Sequence, residues 1–234
     1  LNVAGSGASM VLNLALVVLV AREYGAAGSG VFFGAVSLFT IIGTTVKLGS
    51  ETGLVFSISR FRATGRGADV VPTINTALWP VLGLSVAVAV AVVALAEVVP
   101  GGGQATADGD FAAVLATLAL FLPAFVAVQV MTGATRGFGT MVPTVRDVSI
   151  LRPARQAAFM AVVVTIHQGL VALAVAWGLP LALTSVTAGV SLLRLVRAEP
   201  RDGVPTTGLR RDFWRYASRR GCARTLRARQ DRAA

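Results

Sequence analysis

The 234-residue chain has one cysteine, Cys222, and one histidine, His167. An internal disulfide and any Cys/His-rich metal cluster are thereby excluded. Charge is scarce as well: Asp, Glu, Lys and Arg are 14% of residues, against about a quarter in an ordinary soluble domain. The sequence also lacks a Ser/His/Asp set, a glycine-rich phosphate loop between strand and helix, and carboxylates placed to face one another, so neither an enzyme nor a bound cofactor is expected. Cys222 has no neighbouring base and reads as a free thiol in a reducing compartment. His167 reads as a short-loop residue.

What the sequence does have is apolar length. Hydrophobic residues make up 55% of the chain and mean hydropathy is +0.73, more apolar surface than a water-soluble core of this size can absorb. The fold class expected is all-α, a polytopic transmembrane helix bundle of about six spans, with spans near 4–20, 30–58, 71–99, 111–134, 143–166 and 170–196. Residues 1–198 form this lobe and residues 199–234 a basic tail. The stretch 3–21 lacks a basic leader and a cleavage site, so it reads as a retained span and not a signal peptide. Turns are expected at Arg22–Ser29 and at the acidic loop from Pro100 through Asp110, while Pro143 suits the first turn of span five. Span two, about 45 Å at 1.5 Å per residue, exceeds the ~30 Å hydrocarbon core and must tilt, break near Gly49 or protrude.

The net charge of +10 is not spread over a polar face: twelve of the 21 Lys and Arg residues lie from Arg194 onward. That pattern argues against nucleic acid and for anionic lipid headgroups at a cytoplasmic tail. With the N-terminus inside, Arg60, Arg62, Arg66, Arg136, Arg146, Arg152 and Arg155 also fall on the inner side. Outer loops keep Arg22 alone, against Glu23, Glu97, Asp108 and Asp110. Both termini are therefore expected on the cytoplasmic face.

Ionisable groups inside the hydrocarbon cost roughly 2.5–3.5 kcal/mol each on insertion scales and need a partner or a watery cavity. Lys47 and Glu51, four apart, can pair on one helical face. They form either a structural ion pair or, with Asp147 as a further candidate, a coupling site. Arg152 and Arg155, three apart, project from one side of span five, the chemistry that grips phosphate or pyrophosphate. Snorkelling to inner headgroups is the other reading, and the favoured one for Arg146. Pro80, Pro123, Pro153 and Pro180 each interrupt an apolar run and predict kinks. The Gly30/Gly34 and Gly133/Gly137 pairs have the spacing of close helix contacts.

Three stretches carry a family resemblance. Val20-Ala-Arg-Glu-Tyr-Gly-Ala-Ala-Gly-Ser-Gly30, followed by Val-Phe-Phe-Gly-Ala-Val-Ser-Leu38, is one. Lys47-Leu-Gly-Ser-Glu-Thr-Gly-Leu54 with its Ser-Arg-Phe-Arg62 continuation is the second, and Gly133-Ala-Thr-Arg-Gly-Phe-Gly139 with Pro143 is the third. Together they resemble polysaccharide (lipid-linked oligosaccharide, O-antigen type) flippases of the multidrug/oligosaccharidyl-lipid/polysaccharide (MOP) superfamily. The resemblance implies one six-helix lobe of a MOP/MATE-type transporter in the bacterial cytoplasmic membrane, turning lipid-linked oligosaccharide over by alternating access. Its cationic cavity residues would map onto Arg22, Lys47 and Arg136. After Asp212-Phe-Trp-Arg-Tyr the family enters a seventh helix, whereas this chain ends at Ala234, so a truncated N-terminal half missing its C-terminal lobe is expected. The alternatives are half of a multidrug/cation antiporter with Glu51 as coupling group, and an inactive membrane fragment.

Overall fold

Leucine, alanine, valine and isoleucine runs without polar partners leave the backbone to satisfy its own hydrogen bonds, and helix is what results. A computed structural model describes residues 2–98, 107–142 and 144–199, and among these there is no strand. The expected features at Leu1, Pro100–Gly103, Pro143, Cys222 and the rest of the basic tail lie outside the described residues.

The first helix, α1 (Asn2–Val46), is broken at one residue: Gly25 has φ 66° and ψ −172°, outside helical geometry. The turn expected over Arg22–Ser29 is thus concentrated in a single glycine, the residue type that reaches this region without a Cβ penalty. A second break follows where Leu48 (φ 48°) and Gly49 (φ 72°) both turn left-handed, before α2 (Ser50–Ala63). Helix α2 closes in a Schellman motif, with Arg66 N–H bonding to Phe61 O (2.8 Å) and Gly65 N–H to Arg62 O (3.4 Å). Arg66 then pairs with the buried Asp69 across a 3₁₀ turn. Helix α3 (Val70–Val98) follows.

Span four is two helices, α4 (Ala107–Ala119) and α5 (Leu122–Gly137), bent by 45°. Pro123 does not kink a continuous helix; it sits in the first turn of α5, where its missing N–H costs nothing. Pro153 instead lies where a π-helical stretch, Thr144–Leu151, passes directly into α6 (Arg152–Thr165), with Leu151 itself helical (φ −68°, ψ −36°), so regular helix geometry is interrupted there. Pro80 and Pro180 do lie inside helices, α3 and α7 (Leu170–Ala198).

Long-range hydrogen bonds define two ends of the bundle. At one, Tyr24 Oη donates to Gln168 O (2.6 Å) and His167 Nδ1 lies 2.6 Å from Glu23 Oε1, tying the α1 elbow to the α6–α7 loop. At the other, Arg62 Nη1 donates to Phe138 O (2.6 Å), Arg62 Nε pairs with Glu199 (2.8 Å), and Ser59 Oγ donates to Gly137 O (3.2 Å). The ends of α2, α5 and α7 therefore meet, and α6 runs against α7. Between the two ends the core is packed around Phe39 of α1, whose ring meets Phe125 of α5 (5.3 Å) and Trp177 of α7 (5.6 Å) edge-on.

Helices long and apolar enough to cross a membrane number three among the described residues, Asn13–Val46, Gly67–Val98 and Leu170–Ala198, or four if the bent α4–α5 pair is one crossing. The count falls below the expected six for two reasons. The helix runs up to Gly25 and resumes directly after it, so two expected spans fall in one element, and the α6 region carries Arg146, Asp147, Arg152 and Arg155. Large apolar side chains such as Trp79, Val90 and Leu95 stand exposed along α3. A surface of this kind, on helices this apolar, is that of a membrane-embedded protein.

Candidate functional site

Two clusters of ionisable groups lie inside the bundle. In the first, Glu51 sits one residue into α2 and accepts from both sides: Lys47 Nζ on Oε2 (2.8 Å) and Arg136 Nη2 on Oε1 (2.5 Å). Lys47 and Glu51 do pair, but not along one helix face as their spacing implied. The left-handed Leu48 and Gly49 separate them, so the pair bridges the α1–α2 break. Arg136 reaches them from the last turn of α5 while its Nε also donates to Thr132 O (3.3 Å). Helix α5 can come this close because of Gly133, where a Cβ would stand 3.0 Å from Glu51 Cα and 3.1 Å from Glu51 O. One turn on, a Cβ at Gly137 would stand 2.8 Å from Ile58 Cβ, so the Gly133/Gly137 pair is a close helix contact. The Gly30/Gly34 pair is not: a Cβ at Gly30 meets nothing within 4 Å, and one at Gly34 meets only the edge of Phe111.

The second cluster is on α6, facing α7. Arg155 does not share a ligand-ready face with Arg152. Its Nε donates to Leu151 O (3.1 Å) and its Nη2 to Thr184 Oγ1 (3.0 Å). Gln156 Nε2 donates to Trp177 O (3.1 Å), a carbonyl in the turn crowded by the Pro180 ring, and Thr184 Oγ1 in turn bonds to Pro180 O (2.6 Å). Side chains of α6 thus tie onto α7 on either side of Pro180, at Trp177 O and at Thr184 Oγ1. Arg152 differs from every other cation here. Its guanidinium carbon lies 6.0 Å from the Phe125 ring and 5.9 Å from the Trp177 ring. Its Nε is buried without a hydrogen-bond partner, and among the described residues Arg152 has no ion pair.

The remaining candidates stand apart. Arg22 is exposed near the α1 elbow, at the opposite end of the bundle from Arg136, so the three positions mapped by resemblance do not form one cavity wall. Asp147, 1% exposed, is held by Arg146 (2.9 and 3.2 Å) within the π-helical stretch, which makes it a structural partner rather than a free coupling group. His167 lies in the α6–α7 loop with φ 49°. Among the described residues no three His, Cys, Asp or Glu side chains stand together as metal ligands. Sequence reasoning passed over Gln156, Trp177 and Thr184. The available signals were a neutral amide one turn after Arg152 and a threonine four residues after Pro180.

Compared with protein-family models, curated proteins and solved structures, the chain matches none. Fold and site together define its class: an all-helical membrane protein with paired and unpaired cations set among apolar helices.

Proposed function

We propose that the chain is one lobe of a membrane translocator that turns an anionic lipid-linked oligosaccharide across the bacterial cytoplasmic membrane, with Arg152 contacting the charged headgroup. The observation that carries this reading is the interior guanidinium without a hydrogen-bonding partner. Such a group is costly in a bilayer, and intramembrane ionisable residues mark substrate or ion pathways. A passing phosphate would supply the charge-assisted bonds that aromatic faces cannot. The antiporter reading is weaker, because both carboxylate oxygens of Glu51 are already engaged by cations.

In this reading the lobe makes six crossings with both termini cytoplasmic. Gly25 divides α1 into limbs of about 30–35 Å, each long enough for the hydrocarbon core. The π-helical stretch with α6 supplies the fifth crossing despite its charge. Arg62, Arg66 and Arg136 gather at the end where α2 and α5 finish, as cytoplasmic ends do. Single cysteines in a Cys222→Ser background should label from outside the cell at Arg22 and Gln168 and only after permeabilisation at Arg62. External labelling at Arg62 would refute the topology.

For the function, the purified chain in vesicles should bind a fluorescent lipid-linked oligosaccharide and move it between leaflets, and Arg152→Ala should slow that movement by about tenfold or more. Wild-type chain that neither binds nor moves it would instead mark an inert membrane protein.

A further inference from the structure

We infer that the Arg152 site takes a single oxyanion, one phosphate monoester or diester group, and not a pyrophosphate gripped by two arginines. The inference rests on the reading of Arg152 as the recognition group and specifies what that group accepts. Of the interior cations, Lys47 and Arg136 are each paired with Glu51. Arg146 is held by Asp147. Arg155 donates to Leu151 O and Thr184 Oγ1, and moving it would also release the hydrogen-bond chain that runs through Thr184 to Pro180 O. Among the described residues, Arg152 is the interior cation with no hydrogen-bond or ion-pair partner, and its buried Nε–H meets no acceptor. One guanidinium edge matches two oxygens of one tetrahedral anion, and a second phosphate would find no second fork.

The surroundings of Arg152 fit a reversible contact. Phe125 and Trp177 offer aromatic faces about 6 Å away, a weaker partner than an oxyanion. Phe39 packs edge-on against both rings and fixes their positions. Gln156 anchors the Trp177 backbone. An anion that draws the guanidinium from the rings would leave Phe125 and Trp177 held by these contacts. Trp177 reports the exchange, since its indole lies against the moving charge.

The test uses the full chain with Trp79→Phe and Trp214→Phe, so that Trp177 alone emits, in nanodiscs of phosphatidylcholine. Titrated inorganic phosphate should shift Trp177 emission to saturation. Arg152→Gln should raise the midpoint about tenfold or more, Arg152→Lys should raise it less, and Arg155→Gln should leave it within about twofold. Inorganic pyrophosphate should bind no more than about threefold tighter than phosphate. Phosphatidylglycerol in the nanodisc separates the two sources of the anion. If a lipid headgroup occupies the site, emission is already shifted and added phosphate does nothing further; if a free anion does, the phosphate response persists. Pyrophosphate binding tenfold tighter, with that gain lost in Arg155→Gln, would overturn the single-oxyanion site while leaving the translocator reading standing. No response of wild-type chain to either anion or lipid would overturn it too, and vesicle translocation would then decide separately whether the broader reading survives.

Discussion

Glu51→Ala should be the most destabilising single substitution among the polar residues of the bundle, lowering stability by about 2–4 kcal/mol as read from thermal unfolding in detergent. The carboxylate bridges two cations from two directions, Lys47 at 2.8 Å and Arg136 at 2.5 Å. Removing one partner of an interior ion pair leaves uncompensated charge, which costs far more than the pair itself contributes. All three side chains are part-exposed, so the loss falls short of what a fully buried triad would show. The break at Leu48 and Gly49 adds to it, because across this left-handed turn the Lys47–Glu51 bridge is backed by a single spanning backbone bond, Ser50 N–H to Lys47 O (2.9 Å). Glu51→Gln keeps one acceptor oxygen for one of the two cations but turns its NH2 toward the other, so it should recover only part of the loss. The triple change Lys47→Met, Glu51→Leu and Arg136→Met should recover most of the loss, as apolar replacement of whole ion clusters does elsewhere. An unfolding midpoint in Glu51→Ala equal to wild type would show that the cluster holds nothing together.

The membrane character and the helical class were legible in the sequence because both follow from sums over many residues. Fifty-five per cent hydrophobic composition is more than a soluble domain usually carries, and a chain in lipid must satisfy its backbone internally. Breaks were legible where glycine marked them: Gly25 and Gly49 are both left-handed. Prolines were misread where their position in the helix mattered. Pro123 begins a helix, whereas Pro153 marks a π-to-α junction and Pro80 and Pro180 lie inside helices, and an apolar run has the same composition in each case. Pairings within four residues were legible, as Lys47 with Glu51 shows. Pairings across 85 residues, as Arg136 with Glu51, were not, since they depend on how α2 and α5 are juxtaposed. The same limit hid the difference between Arg152 and Arg155. Both are arginines three apart on one helix, and Arg155 alone finds acceptors, Leu151 O within its own helix and Thr184, 29 residues away.

Gly133→Val should match Glu51→Ala in size while acting through shape instead of charge. The atoms that a Cβ at position 133 would meet include Glu51 Cα at 3.0 Å and Glu51 O at 3.1 Å, and backbone cannot swing aside as a side-chain tip can. Helix α5 must then back away from α2. Arg136 lies three residues on, so the displacement pulls its guanidinium from Glu51 and opens the contact at Gly137 against Ile58 as well. Steric strain and a weakened ion cluster together should cost about 2–4 kcal/mol, with spin labels on α2 and α5 moving apart. The control is Gly30→Val. Its glycine belongs to the other four-residue pair in the sequence, but its added atoms enter open space, so stability should stay within about 1 kcal/mol of wild type. If both substitutions unfold the chain alike, the loss comes from replacing glycine in a membrane helix as such, and the close approach of α2 to α5 is not what sets the Glu51 cluster in place.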